Sequence, residues 1–190
     1  SHAEDICENV VSVSPPKSGA DSIIGVSAPW EPMPRTPKKL GTNSKVYKEK
    51  VAEILAGRGL GGAPVNIASI VRIDLEGDGQ DEVIIAATHP KASSMIFDGG
   101  PSYYSFVAVR KIVGGNVETF VLAGSFGKDG LPFIYDIAAA LDLNGDGDQE
   151  IVISWQYYEG AGHAAFQVEG VEHERPEVVR RLTALLDRYR

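Results

Sequence analysis

Two nine-residue acidic stretches, Asp74-Leu75-Glu76-Gly77-Asp78-Gly79-Gln80-Asp81-Glu82 and Asp142-Leu143-Asn144-Gly145-Asp146-Gly147-Asp148-Gln149-Glu150, lie 68 residues apart in a chain of 190. A run of β-branched apolar residues follows each. Oxygen-bearing side chains stand at loop positions 1, 3, 5 and 9, with glycines at 4 and 6, so the chain must curl until alternate residues point at one centre. Glycine permits that curl at little steric cost. The flanks read as strands: Ile70-Val71-Arg72-Ile73 before and Val83-Ile84-Ile85-Ala86 after the first loop, and Ile151-Val152-Ile153 after the second. Each loop is therefore expected to be the turn of a β-hairpin in a mainly β fold.

The charge of the loops points to a cation. Asp74, Glu76, Asp78 and Glu82 in the first, and Asp142, Asp146 and Glu150 in the second, would converge within a few ångströms. Like charges so placed repel and raise each other's pKa, and a divalent ion removes the conflict. Calcium takes six to eight oxygen ligands, which this spacing largely supplies from one segment; Gln80 or Asp148 at position 7 would add a carbonyl. The competing reading is an acidic turn, since Asp, Asn and Gly dominate turns in any case. An EF-hand needs a carboxylate at position 12 and helices on both sides, whereas position 12 here is Ile85 or Ile153. Asn144 at position 3 makes the second loop the cleaner match, and Glu76 is longer than that position usually holds.

The unit of apolar strand, Asp-Leu-Asn-Gly-Asp-Gly-x-x-Glu and apolar strand resembles the FG-GAP and VCBS repeats of integrin α-chain propellers and many secreted bacterial proteins. The resemblance covers about residues 65 to 100 and 132 to 168. It implies calcium at two sites, held by Asp74, Glu76, Asp78, Gln80 and Glu82 and by Asp142, Asn144, Asp146, Asp148 and Glu150. It also implies a secreted, periplasmic or cell-surface location. Phe126-Gly127 lies farther from the second loop than the family pattern places it, and Gly62-Ala63-Pro64 precedes the first hairpin instead of following it.

Six of the eleven prolines fall in residues 1–43, which reads as an extended arm or linker. Within it, residues 21–28 could add a strand, and Trp30 could anchor the arm on the body. A helix is expected from about Ser44 to Ala56, with Tyr47, Val51, Ile54 and Leu55 on one face and Gly57 and Gly59 as stop signals. The β-rich domain spans 44–190, with repeat units at about 65–123 and 124–172. Met95 to Pro101 reads as a loop. Tyr103 to Val113 and Val117 to Ala123 form a hairpin about Gly114-Gly115-Asn116. The second unit runs through Phe133–Leu141, Glu150–Gln156 and His163–Val168, with Gly160-Ala161-Gly162 as the last turn. A helix over 176–189 follows, opened by Pro176, with Val178, Leu182, Leu185, Leu186 and Tyr189 on one face. Two four-stranded units cannot close a propeller ring, which takes at least four blades. They pack together as a sandwich or barrel-like core, or the chain is a fragment of something longer.

A net charge of −8 argues against a phosphate-backbone partner, and no apolar stretch reaches the roughly 20 residues that span a bilayer. Cys7 is the single cysteine, so no intramolecular disulfide reports the redox compartment. No serine nucleophile elbow, zinc signature, phosphate loop or dinucleotide fingerprint is present. The best catalytic grouping is Glu159 with His163, joined by His89 or Asp98, and two such residues without a third define no reaction. Three functions stay open: a non-enzymatic extracytoplasmic calcium module that recognises a protein or glycan, a secreted hydrolase with its site near Tyr157 to His163, and an assembly partner that makes contacts through its arm and terminal helix.

Overall fold

The computed structural model describes residues 26, 28–92, 100–127, 132–158, 160–168 and 179–181. Among them are two antiparallel sheets and one helix, a mainly β fold. The first sheet has the order β1 (Lys38–Lys39), β2 (Ile67–Ile73), β3 (Glu82–Thr88), β4 (Tyr104–Val113) and β5 (Asn116–Phe126). The second has the order β6 (Ile134–Leu141), β7 (Glu150–Tyr157), β8 (Gly160–Val168) and the three-residue β9 (Val179–Arg181). Each sheet is a meander in which sequence neighbours pair, as short connections favour.

Alternation along the strands sorts the first sheet's side chains onto two faces. Val71, Ile73, Ile84, Ala86, Val107 and Val109 point to the second sheet and meet Ala140, Ile151, Ile153, Ala164, Phe166 and Val168. The intervening Ile70, Ile85, Ala87, Tyr104, Phe106 and Ala108 point the other way, where the helix α1 (Lys45–Gly57) covers them with Val51 and Leu55. The order of layers is thus helix, five-stranded sheet, second sheet. A sheet buried on both faces explains why β3 and β4 read as near-continuous apolar runs.

The helix occupies the predicted segment, and Gly59, not Gly57, ends it. Leu60 N donates to Leu55 O at 2.8 Å and Gly59 N to Ala56 O at 3.0 Å, with Gly59 at φ +76°. This is a Schellman closure, which needs a left-handed residue just past the helix. The Gly114-Gly115 turn holds both residues at positive φ, the condition for a two-residue type I′ hairpin.

Three expectations change. Gly160-Ala161-Gly162 is the start of β8, not a turn, because Gly162 lies opposite Trp155 in register and a Cβ there would collide with the indole. Residues 179–181 of the expected C-terminal helix pair with β8 as a strand; 176–178 and 182–189 lie outside the described residues. The arm is not a free linker in its described part, since β1 pairs with β2 and residues 30–35 rest on the acidic loops. Residues 21–25, Cys7, Asp98 and Glu159 lie outside the described residues.

Candidate metal centre

The two loops connect β2 to β3 and β6 to β7, and the same hydrogen bonds shape both. Asp74 Oδ1 accepts from Gly77 N at 2.7 Å and Asp78 N at 3.2 Å, and its Oδ2 accepts from Gly79 N at 3.0 Å. Asp142 accepts from Gly145 N at 2.6 Å and Gly147 N at 3.0 Å. At position 9, Glu82 Oε2 accepts from Leu75 N at 2.9 Å, and Glu150 Oε2 from Leu143 N at 2.8 Å. Position 5 caps position 7: Asp78 Oδ1 accepts from Gln80 N, and Asp146 Oδ1 from Asp148 N. All four loop glycines have φ between +73° and +93°, so the curl requires glycine there.

The interiors differ. In the first loop the Lys111 ammonium, carried in from β4, is ion-paired with Glu76, and both side chains are largely buried. Asp78 Oδ2 accepts from Gln80 Nε2 at 3.0 Å. In the second loop Asn144 Nδ2 donates to Asp146 Oδ2 at 2.8 Å and Glu150 Oε1 at 3.3 Å, while Gln167 Nε2 donates to Asp146 Oδ2 at 3.1 Å. In the second loop Asn144 joins Asp146 and Glu150, whereas in the first loop Asp74, Glu76 and Glu82 each have separate partners and the Gln80 side chain is bonded to Asp78.

Burial is the main electrostatic influence. It pushes the Glu150 carboxyl above its ordinary value, against the Leu143 N–H that favours the anion and with the repulsion of Asp146 and Asp142. It pushes Glu82 up in the same way, opposed by the Leu75 N–H and by Lys111. Asp148 is also raised, by burial first, then by Asp146 and by Glu76 of the other loop, against the pull of Arg35 and Lys111. The loops lie side by side, since Gln149 N of the second donates to Leu75 O of the first.

The arm straps them together. Arg35 donates from Nε to Asp74 O at 2.5 Å and from Nη2 to Leu75 O at 2.6 Å and Gly147 O at 2.7 Å. Its own backbone N–H donates to Gln149 Oε1, and Gln149 N donates across to Leu75 O at 2.8 Å. Trp30 Nε1 donates to Asp142 O at 3.0 Å, and Asp142 N donates to Pro32 O at 2.9 Å. The expected anchoring by Trp30 is thus placed on the second loop. Sequence reasoning missed Arg35, Lys111 and Gln167. A lysine in a largely apolar strand segment is a visible signal for Lys111, but its target is set by strand register, which the sequence alone does not give.

As the side chains stand, no three Asp, Glu, His or Cys groups among the described residues surround a common point. Their oxygens are held by the loops' own amides, Lys111, Asn144 and Gln167. The donor chemistry of the second loop nevertheless fits a hard cation: Asp142, Asn144, Asp146, Asp148 and Glu150 offer only oxygens once the Asn144 amide presents Oδ1, and Glu150 is fully buried. The first loop fits less well, because an ammonium already stands against Glu76.

Elsewhere, an apolar cleft of about 350 Å³ opens between β5 and the second sheet, with Leu122, Phe133, Tyr135, Trp155 and Phe166 in its wall. His163 stands exposed on β8 opposite Ser154 and is not part of that cleft. His89 packs edge-on against Tyr104 and accepts from Lys91 N. No described helix is long and apolar enough to cross a membrane. Comparison with protein-family models, curated proteins and solved structures gave no match.

Proposed function

We propose that the protein is a non-enzymatic, extracytoplasmic calcium-binding β-repeat module for adhesion or recognition of a protein or glycan, with calcium in a structural role. The observation that carries this reading is the second loop, where the buried Glu150 faces Asp142 and Asp146. A divalent ion would balance these carboxylates, and Asp142, Asn144, Asp146, Asp148 and Glu150 would hold it. The like hydrogen bonding of the two loops supports their origin as repeats of the FG-GAP or VCBS kind. The position-1 and position-9 carboxylates of both loops are tied to backbone N–H groups, which suits ligands better than a free acid and base. Millimolar extracellular calcium suits a loop of modest affinity.

The test is a thermal melt in excess chelator and in millimolar calcium, with magnesium as control. Ligand at a hundred times Kd adds about 2.7 kcal/mol, or roughly 5–10 °C for a domain of this size. A calcium-specific rise of that order is expected, and Asp146→Ala should remove it. An unchanged melting temperature, with no calcium retained by the purified protein, would reduce the second loop to an acidic turn.

A further inference from the structure

We propose that the molecule takes one divalent cation and not two, because Lys111 is the built-in cation of the first loop. The ion count at the second loop rests on the calcium reading above; the assignment of Lys111 does not.

The argument begins with register. In the first sheet Val83 pairs with Arg110, so the next residues outward, Glu82 and Lys111, stand opposite each other. In the second sheet Ile151 pairs with Phe166, which sets Glu150 opposite Gln167. Lys111 and Gln167 therefore occupy equivalent places, each across from the position-9 glutamate of its loop. Both side chains turn into that loop, Lys111 to Glu76 and Gln167 to Asp146. The fold thus offers one address twice and fills it once with a charge and once with a neutral amide.

The burial of Lys111 makes its position binding. Its side chain is 6 % exposed, and β4 lies inside the sheet between β3 and β5, so the stem has no open edge from which to swing away. An ammonium so far from water must be paired, since removing its partner leaves a buried charge. The pairing explains Glu76: position 3 holds an asparagine in the second loop, and the longer glutamate carries a carboxylate to the ammonium. The influence of Lys111 extends to Glu82 and to Asp148 of the neighbouring loop, and in both it favours the anion. A divalent ion entering the first loop would meet the lysine across the oxygens it needs. The central carboxylates do not separate the loops, since Asp78 has both oxygens on Gln80 and Asp146 has its own on Asp148 N and on the Asn144 and Gln167 amides; the ammonium does.

The experiment exchanges the two side chains and counts ions. Calcium titration calorimetry on the full chain, with elemental analysis after dialysis, is run on the parent, Lys111→Gln and Gln167→Lys. The expected stoichiometries are one for the parent and two for Lys111→Gln. Gln167→Lys should lower affinity at the second loop by about tenfold or more, a loss of about 1.4 kcal/mol or greater. Adding Asp78→Ala to Lys111→Gln should remove the extra ion. Two ions on the parent, or the same count for parent and Lys111→Gln, would overturn the inference. No ion on the parent but one on Lys111→Gln would sink the calcium reading of the second loop and leave the role of Lys111 standing. Should Lys111→Gln fold only with calcium, refolding it across a calcium series gives the same count. Gln167→Lys, at a partly exposed position, tests the exchange in the opposite direction, and unchanged affinity there would count against the proposal.

Discussion

Gly145 and Gly147 differ in one respect that isolates what the arm contributes to the second loop. Both have left-handed backbones, φ +83° and +93°, so alanine at either pays the strain of that conformation, about 1–2 kcal/mol. A Cβ on Gly147 would meet nothing within 4 Å, whereas one on Gly145 would come within 3.1 Å of the Trp30 ring. The indole also donates to Asp142 O, so displacing it breaks a hydrogen bond as well as a contact. Gly145→Ala is expected to destabilise the protein by about 1 kcal/mol more than Gly147→Ala in urea unfolding, the usual worth of one such hydrogen bond. Equal losses would mean that Trp30 adds nothing to the fold of the loop.

Arg35 does for the pair of loops what Trp30 does for one. The strap that carries it joins two hairpins from different sheets, and its guanidinium reaches backbone carbonyls of both. Lysine keeps the charge but loses the planar fork, so it can serve only part of that set. Arg35→Lys should cost about 1.5–3 kcal/mol, the range for hydrogen bonds to a charged group, and amide hydrogen exchange should quicken in both loops together. Faster exchange in one loop alone would show that the strap does not couple them. At this scale the sequence was legible wherever the signal is local. The loops, the helix with its apolar stripe and the Gly114-Gly115 hairpin all follow from spacing and glycine placement. What misled was glycine used for close approach: Gly162 makes room for Trp155 from the next strand, and only strand pairing reveals that. Val178 to Tyr189 has helical periodicity, yet 179–181 form a strand because the β8 edge offers backbone partners that local propensity cannot foresee. The loops' interiors were half legible: the carboxylates are in the motif, but Lys111, Gln167 and Arg35 reach them by register and by the path of the arm.

Among the described residues, the two acidic loops come together where the arm bridges the two sheets, in a chain whose net charge is −8. Glu82, Asp148 and Glu150 all hold protons more tightly in the fold than in the open chain, with burial as the leading cause in each. Folding therefore binds protons as pH passes from the ordinary carboxylate range up through the raised values. Where the folded state binds more protons than the unfolded, stability falls with rising pH. These three groups make the calcium-free protein lose stability over that weakly acidic window, the loss being complete once pH exceeds their folded values. Calcium bound as proposed would reverse the sign at the second loop, since it would bind the Asp148 and Glu150 anions and hold them ionised, so that this loop would gain stability as its carboxylates deprotonate. Melting temperatures recorded between about pH 4 and 7, the window set by the ordinary carboxylate values, should fall or flatten with pH in chelator and rise with pH in calcium, so that the curves separate upward. Because the apolar layer is shared by both sheets, each sample should melt in one transition by fluorescence and by circular dichroism. Parallel curves with and without calcium would separate the buried carboxylates from any ion. Two transitions would mean that the acidic end unfolds by itself and that the strap, not the shared core, sets its stability.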